Sequence, residues 1–296
     1  MPDGNAGGPI GPSWMVPLRA AGTRPPLFCA CAGDGDVTKY RDLAQALADD
    51  QPVYGFGIPP LPAGAAFPSV EQLASDYVQA ARAVQPEGPY FLCGHSFGGL
   101  VAYEMAALLQ RAGAQVRLVA LIDTLHPGHR RQMSWRGHML FRLTYLASRL
   151  MKYARNIGYG RPDQALRDAA RAIYSHTKRG YWRIVRTLFA RLGHAPPAAI
   201  SSDALVLAAA WHAYGTTSHD VPLVMFNAIE RPVEFHRDRT LGWRSCVSRP
   251  FSLHMIPGDH YTILRRPHVQ VLADTLASYL TNPAQPARMP ENIAWR

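Results

Sequence analysis

No run in the 296 residues approaches the 18 apolar positions that a membrane-crossing helix requires, so the sequence offers no candidate span. Nor does any N-terminal stretch join a basic start to an apolar segment and a small-residue cleavage site: "MPDGNAGGPIGPSW" is rich in glycine and proline and carries an acid. A cytoplasmic protein is the expectation. Cysteine is scarce, with four in the chain (Cys29, Cys31, Cys93, Cys246), and the first three fall in strand-like runs where the residue acts as a small apolar side chain. Cys29 and Cys31 are read as a poor metal pair. Internal repeats are absent. With 48% hydrophobic and 18% charged residues, the composition is that of a globular chain able to bury a sizeable core, as one large domain or two small ones. Acids are nearly missing from one segment: between Gly128 and Ile200 there are 15 Lys and Arg against Asp163 and Asp168, a balance of +13. Since the whole chain carries +10, the remainder is −3, and the basicity belongs to that segment alone.

Elsewhere, apolar runs alternate with helical patterns. Strands are expected at Trp14 to Leu18, Pro26 to Ala32, Pro52 to Phe56, Tyr90 to Cys93, Val116 to Ile122, Val221 to Phe226 and Phe251 to Ile256. Helices are expected at Val37 to Leu47, Ser69 to Gln85, Gly98 to Ala112 and His268 to Leu280. Strands that are apolar throughout and alternate with helices imply an α/β fold, a doubly wound and mostly parallel sheet covered on both faces. Residues 1–13 and 282–296 read as loose tails around a domain at 14–281. From about 127 to 214 the pattern is helical only, with Leu140, Leu143, Ala147, Leu150 and Ala154 on one face and Arg142, Arg149 and Arg155 elsewhere. So long a helical stretch between two strands is an insertion, not a connection.

The stretch "LCGHSFGGLVAYEMAALL" puts Ser96 between glycines where an apolar run turns into a helical pattern. A strand-turn-helix with Gly94, Ser96 and Gly98 is the arrangement of a nucleophile elbow, in which the serine sits on a strained turn and only glycine leaves room for the neighbouring helix and strand; the alternative is a glycine-rich turn whose serine does nothing. A serine hydroxyl becomes nucleophilic when an imidazole takes its proton, and the imidazole needs a carboxylate to hold its tautomer. The chain order for such an elbow is serine, acid, histidine. Asp123 ends the run "VRLVALID", and His260 lies in the loop "MIPGDHYTIL" after the last strand. Glu230, after the following strand in "FNAIERP", is the rival acid. His126 and His129 have H-x-x-H spacing but lie in a Pro-Gly loop without clustered carboxylate or thiolate partners, and are read as the entry to the insertion rather than as a metal site. An oxyanion hole needs backbone N–H groups. Phe97 supplies one as the residue after the nucleophile. The second is expected from the loop after "PLFCACAGDGD", at Gly33, with Ala32 and Asp34 as neighbouring alternatives.

The blocks "MVPLRAAGTRPPLFC", "YRDLAQAL", "PVYGFGIP", "SVEQLASDYVQAARAVQPEGPYFLCGHSFGGLVAYEMA", "LIDT" and "PGDHYTIL" together resemble the thioesterase domains that terminate nonribosomal peptide synthetases and polyketide synthases. The resemblance implies an α/β-hydrolase fold with a helical lid, a Ser96–His260–Asp123 triad, and the acid at Asp123 rather than Glu230. One departure stands out: where that family has a His-Pro-Ala-Gly-Gly-like loop, this chain reads Ala30-Cys31-Ala32-Gly33-Asp34, which keeps the glycine and adds an acid. The implied activity is release of an acyl or peptidyl chain from the phosphopantetheine thioester of a carrier protein, by hydrolysis or cyclisation through an acyl-Ser96 intermediate. No metal and no resident cofactor are implied. The expected partner is a carrier protein or an upstream synthetase module, and the chain reads as a stand-alone enzyme or a piece of a larger synthetase. The basic insertion is read as the solvated face of amphipathic helices and as an attractor for an acidic carrier. Membrane contact, which basic helices carrying Trp135, Phe141 and Tyr145 could make, is a third and less favoured reading, and nucleic-acid binding is not expected, since no reading motif accompanies the charge. Rival readings are a carboxylesterase or lipase, an acyltransferase, and a catalytically silent docking protein.

Overall fold

The computed structural model describes residues 11–60, 68–128, 210–211, 213–215, 218–231, 238–247 and 251–282, together with the single positions Met139, Leu143, Ala154, Gly158 and Leu166. Seven strands make up the sheet among these residues: β1 (Met15–Arg19), β2 (Leu27–Ala30), β3 (Val53–Phe56), β4 (Tyr90–His95), β5 (Val116–Ile122), β6 (Leu223–Ala228) and β7 (Ser252–Ile256). Their order is β1-β3-β2-β4-β5-β6-β7. Only β1 runs antiparallel, against β3; every other pair is parallel. The central strands are apolar on both faces because both faces are covered, whereas the edge strand β1 is only partly buried. Every residue of β2, β4 and β6 is buried.

Alternate residues feed two cores. Phe28, Leu92, Val119, Leu121 and Met225 pack under α2 (Val70–Val84) and α3 (Phe97–Arg111). Leu27, Cys29, Phe91, Cys93, Ala120 and Phe226 pack on the other side under α1 (Arg41–Ala46) and α4 (His268–Thr281). Cys31, one residue past the end of β2, leaves the strand's alternation: Cys29 packs under α1 and α4, whereas Cys31 meets the Tyr77 hydroxyl of α2 at 3.3 Å. All four cysteines are free.

Element boundaries follow local chemistry. Ser69 caps α2 by accepting the Gln72 N–H at 3.2 Å. The one continuous helix expected at 37–47 is instead a 3₁₀ turn at Val37–Tyr40 followed by the short α1. The reason is twofold. Asp36 accepts from both the Thr38 N–H and its hydroxyl, which tightens the first turn. Tyr40 is drawn fully into the core, where its hydroxyl donates to the Ala30 carbonyl and accepts from the His95 N–H, both at 2.7 Å.

The helical insertion expected over 127–214 lies almost wholly outside the described residues, as do Leu140, Ala147 and Leu150; Leu143 and Ala154 are helical and exposed. The tails at 1–10 and 283–296 also lie outside them. The chain re-enters the described fold at Ala210 and Trp211, which pack against the core, and Tyr214 follows, its hydroxyl donating to Glu104 of α3 at 2.8 Å.

The tightest packing lies at the β4–α3 turn. A Cβ on Gly94 would stand 2.1 Å from the Gly98 carbonyl oxygen, and one on Gly98 would stand 2.3 Å from the Ala30 carbonyl oxygen. Both neighbours are backbone and cannot step aside. Gly98→Ala is therefore expected to lose about 3 kcal/mol or more in urea unfolding. Gly113→Ala, at φ +75° with nothing within 4 Å of a Cβ, is expected to lose only about 1 kcal/mol. Equal losses at the two positions would contradict this packing account.

Candidate active site

The C-terminal ends of β4, β5, β6 and β7 converge on one edge of the sheet, where open α/β sheets bind their ligands. Ser96 follows β4 and is the N-cap of α3, at φ 56° and ψ −118°. A non-glycine residue held there is strained by about 1–3 kcal/mol, and the surrounding packing keeps it in place. Its N–H donates to the Ile122 carbonyl at 2.9 Å, which ties the turn to the end of β5.

Asp123 is the next residue on that strand, also at positive φ (49°), and its N–H donates to Phe226 of β6 at 2.8 Å. The carboxylate is 4% exposed. Oδ2 accepts from His260 Nδ1 at 2.6 Å. Oδ1 accepts from the Ala228 N–H at 2.6 Å and from the Arg231 guanidinium. Burial by itself would raise the Asp123 pKa, but the His260 hydrogen bond and the Arg231 charge outweigh it and hold the group well below the ordinary carboxylate range. With Nδ1–H committed to an ionised carboxylate, Nε2 of a neutral His260 is left as the basic nitrogen.

A second histidine fixes the loop. His95, immediately before Ser96, is buried and stands over His260 with ring centroids 4.7 Å apart. A carbonyl only accepts, so the 2.9 Å contact is His95 Nε2–H donating to the His260 carbonyl. His95 Nδ1 then carries a lone pair, buried and without a partner among the described residues. Burial, and after it the neighbouring His260, push His95 down from 6.5 to about 3.

Gly33 lies beside the elbow: a Cβ there would meet the Phe97 Cβ at 3.5 Å. The Phe97 N–H is at the first position of α3, where no intrahelical acceptor exists. Asp34, the added acid of this loop, is paired with Lys39. The rival acid differs in setting: Glu230 is exposed, and its backbone N–H donates to Gly258 at 3.0 Å. His126 accepts the Gly128 N–H on Nδ1 and directs Nε2–H at Cys246 Sγ, 3.0 Å away, so the ring serves a buried contact; His129 lies outside the described residues. Among the described residues, no three His, Cys, Asp or Glu cluster to hold a metal, and no helix is long and apolar enough to cross a membrane.

The structure thus brings Asp123 and His260 together, sets Ser96 on the adjoining strand end, and places Gly33 against Phe97. The sequence reading did not identify Arg231, His95 or Tyr40. His95 and Tyr40 left no sequence signal beyond apolar surroundings. Arg231 did leave one, a cation three residues beyond a buried strand whose C-terminal end faces the site.

Comparison with known proteins follows the same outline. The family described as "Thioesterase domain" matches residues 25–279. The chain is 32% identical over 270 residues to chondramide synthase cmdD of Chondromyces crocatus, covering 88% of this chain and 7% of that protein. It is 30% identical over 278 residues to a probable non-canonical nonribosomal peptide synthetase, CymA, of Salinispora arenicola, covering 90% and 3%. The chain therefore spans less than a tenth of the length of these relatives. Among solved structures, the NocB thioesterase domain in covalent complex with a fluorophosphonate nocardicin G analogue superposes with a TM-score of 0.61 at 20% identity, covering 90% of this chain and 100% of that one, which establishes a shared fold.

Two outcomes are expected. Asp123→Asn removes the anion that orients His260 and should lower thioester turnover by about 10³-fold or more, whereas the exposed Glu230→Gln should leave it near wild type; steady-state assays of both decide which acid serves the imidazole. For stability, a histidine whose folded pKa lies below its unfolded value takes up protons only on unfolding, so its contribution is present above about pH 6.5 and is lost as pH falls toward 3. Urea melts at pH 7 and pH 5 should show His95→Gln losing about 2 kcal/mol less than wild type over that interval.

Proposed function

This chain belongs to the thioesterase-domain family, and on that premise we propose that it releases an acyl or peptidyl chain from the phosphopantetheine thioester of a carrier protein. The reading rests above all on the hydrogen bond at 2.6 Å between the buried Asp123 carboxylate and the half-buried His260, set beside a serine held at positive φ. In it, Ser96 Oγ attacks the thioester carbonyl while His260 Nε2 takes the hydroxyl proton. The Phe97 and Gly33 N–H groups hold the oxyanion of the tetrahedral intermediate. Collapse breaks the C–S bond, His260 returns its proton to the departing thiolate, and acyl-Ser96 remains. A second nucleophile then gives its proton to His260 and attacks the ester: water yields a free acid, and an amine or hydroxyl of the bound chain yields a ring. Asp123 stays ionised throughout and steadies the imidazolium.

The pairing of Asp34 with Lys39 bears on the oxyanion step. An unpaired carboxylate beside Gly33 would repel a developing negative charge, and the neighbouring ammonium offsets it. The substrate brings its own phosphopantetheine arm, so the chemistry calls for no metal and no resident cofactor. The fifteen Lys and Arg between Gly128 and Ile200 suit attraction of an acidic carrier or an upstream module.

Intact-protein mass spectrometry after incubation with a panel of acyl-pantetheine thioesters tests this reading. The expected result is a mass increase equal to the acyl group on wild type and none on Ser96→Ala, with the released product distinguishing water from ring closure. An adduct that persists on Ser96→Ala, or turnover of simple oxygen esters with no reaction on any thioester, overturns it.

A further inference from the structure

We propose that Arg231 is a positioning residue for the acid of this site: it clamps Oδ1 of Asp123, so that Oδ2 is held toward His260 and the imidazole works beside a neutralised rather than a bare carboxylate. The inference rests on the reading of Ser96, His260 and Asp123 as a triad, and extends it to a fourth member.

The backbone is built to deliver this contact. After β6 the chain is pinned twice to the strand and loop that carry His260, by Ile229 N–H to Ile256 at 2.9 Å and Glu230 N–H to Gly258 at 3.0 Å. Arg231 N–H then donates to the Ile229 carbonyl at 3.0 Å, a tight turn that folds the chain back at the sheet edge. The side chain ends on Asp123 Oδ1 and is 9% exposed. One short segment therefore anchors the His260 loop and carries the cation that pairs with its carboxylate.

Two consequences follow. A carboxylate with a single donor can rotate about its last bond, whereas Ala228 N–H and Arg231 on Oδ1 fix its plane and leave Oδ2 with one direction to point. Arginine suits the task because its planar guanidinium remains charged when buried. The second consequence concerns charge. Arg231 is a like charge to the imidazolium form of His260 and disfavours it. Other groups face or adjoin the same imidazole: Asp123 from β5, His95 from β4, Tyr261 with its ring 5.3 Å away, Asp259 in the same loop, His268 packed at Gly258, and Lys39, whose charge reaches His95. All of these remain when Arg231 alone is replaced, so the replacement isolates its contribution.

The test is the pH dependence of the second-order rate at which a fluorophosphonate labels Ser96, measured by intact mass on wild type, R231Q, R231M and R231K, with circular dichroism to verify folding. Removing the cation in R231Q or R231M should move the acidic limb of the profile up by about one pH unit, because protonated His260 is then less disfavoured. R231K keeps the charge and should bring the limb back to within a few tenths of a unit of wild type. A limb that stays in place in a folded R231Q or R231M overturns the proposal. So does failure of both to fold, which would make Arg231 a folding residue. Absence of Ser96 labelling in wild type overturns the triad reading itself, and is thereby distinguishable from failure of the clamp.

Discussion

The buried carboxylate of Asp123 is the group on which the rest of the site depends. An anion taken out of water is costly unless every lone pair it presents is met. Here three donors meet it from two parts of the chain: the Ala228 N–H at the end of β6 and the Arg231 guanidinium just beyond, and His260 Nδ1 from the loop after β7. Satisfying the charge and aligning the histidine are one event. The fold brings the ends of β5, β6 and β7 to a single edge, and the carboxylate supplies the reason for their loops to close over it.

The elbow depends on a different constraint, the removal of side chains. Gly94, Gly98 and Gly99 are positions where a Cβ would overlap a carbonyl, a backbone nitrogen or the Thr124 side chain at 2.0–2.4 Å. Their absence lets α3 start directly against β2, which sets Phe97 next to Gly33. Tyr40 reinforces the same junction from the far side of the sheet, its hydroxyl bridging the end of β2 and the residue before Ser96. The strained serine is held by close packing on one side and by a buried hydrogen-bonded bridge on the other.

Much of this was legible in the sequence. The seven apolar runs lie on the seven strands to within two or three residues, because a parallel strand buried on both faces leaves no polar position to obscure it. The serine, aspartate and histidine could be singled out as candidates because each ends or follows such a run. Arg231 could be seen as a cation just beyond a buried strand, but its partner could not: a single cation in a polar loop has no periodicity, and its contact with Asp123 exists only once β5 and β6 are paired. The split of the first helix was hidden for a similar reason, since Tyr40 fits a helical pattern equally well whether its hydroxyl faces solvent or bridges two strands.

The central claim is that Ser96 and His260 act as one chemical unit. Its most direct test is the single-turnover rate of an acyl-pantetheine thioester on Ser96→Ala, His260→Ala and the doubly substituted protein. Groups that share one step are grossly non-additive, so the account predicts that the double substitution is no slower than the slower single one. Losses that multiply would show two independent contributions and would contradict it.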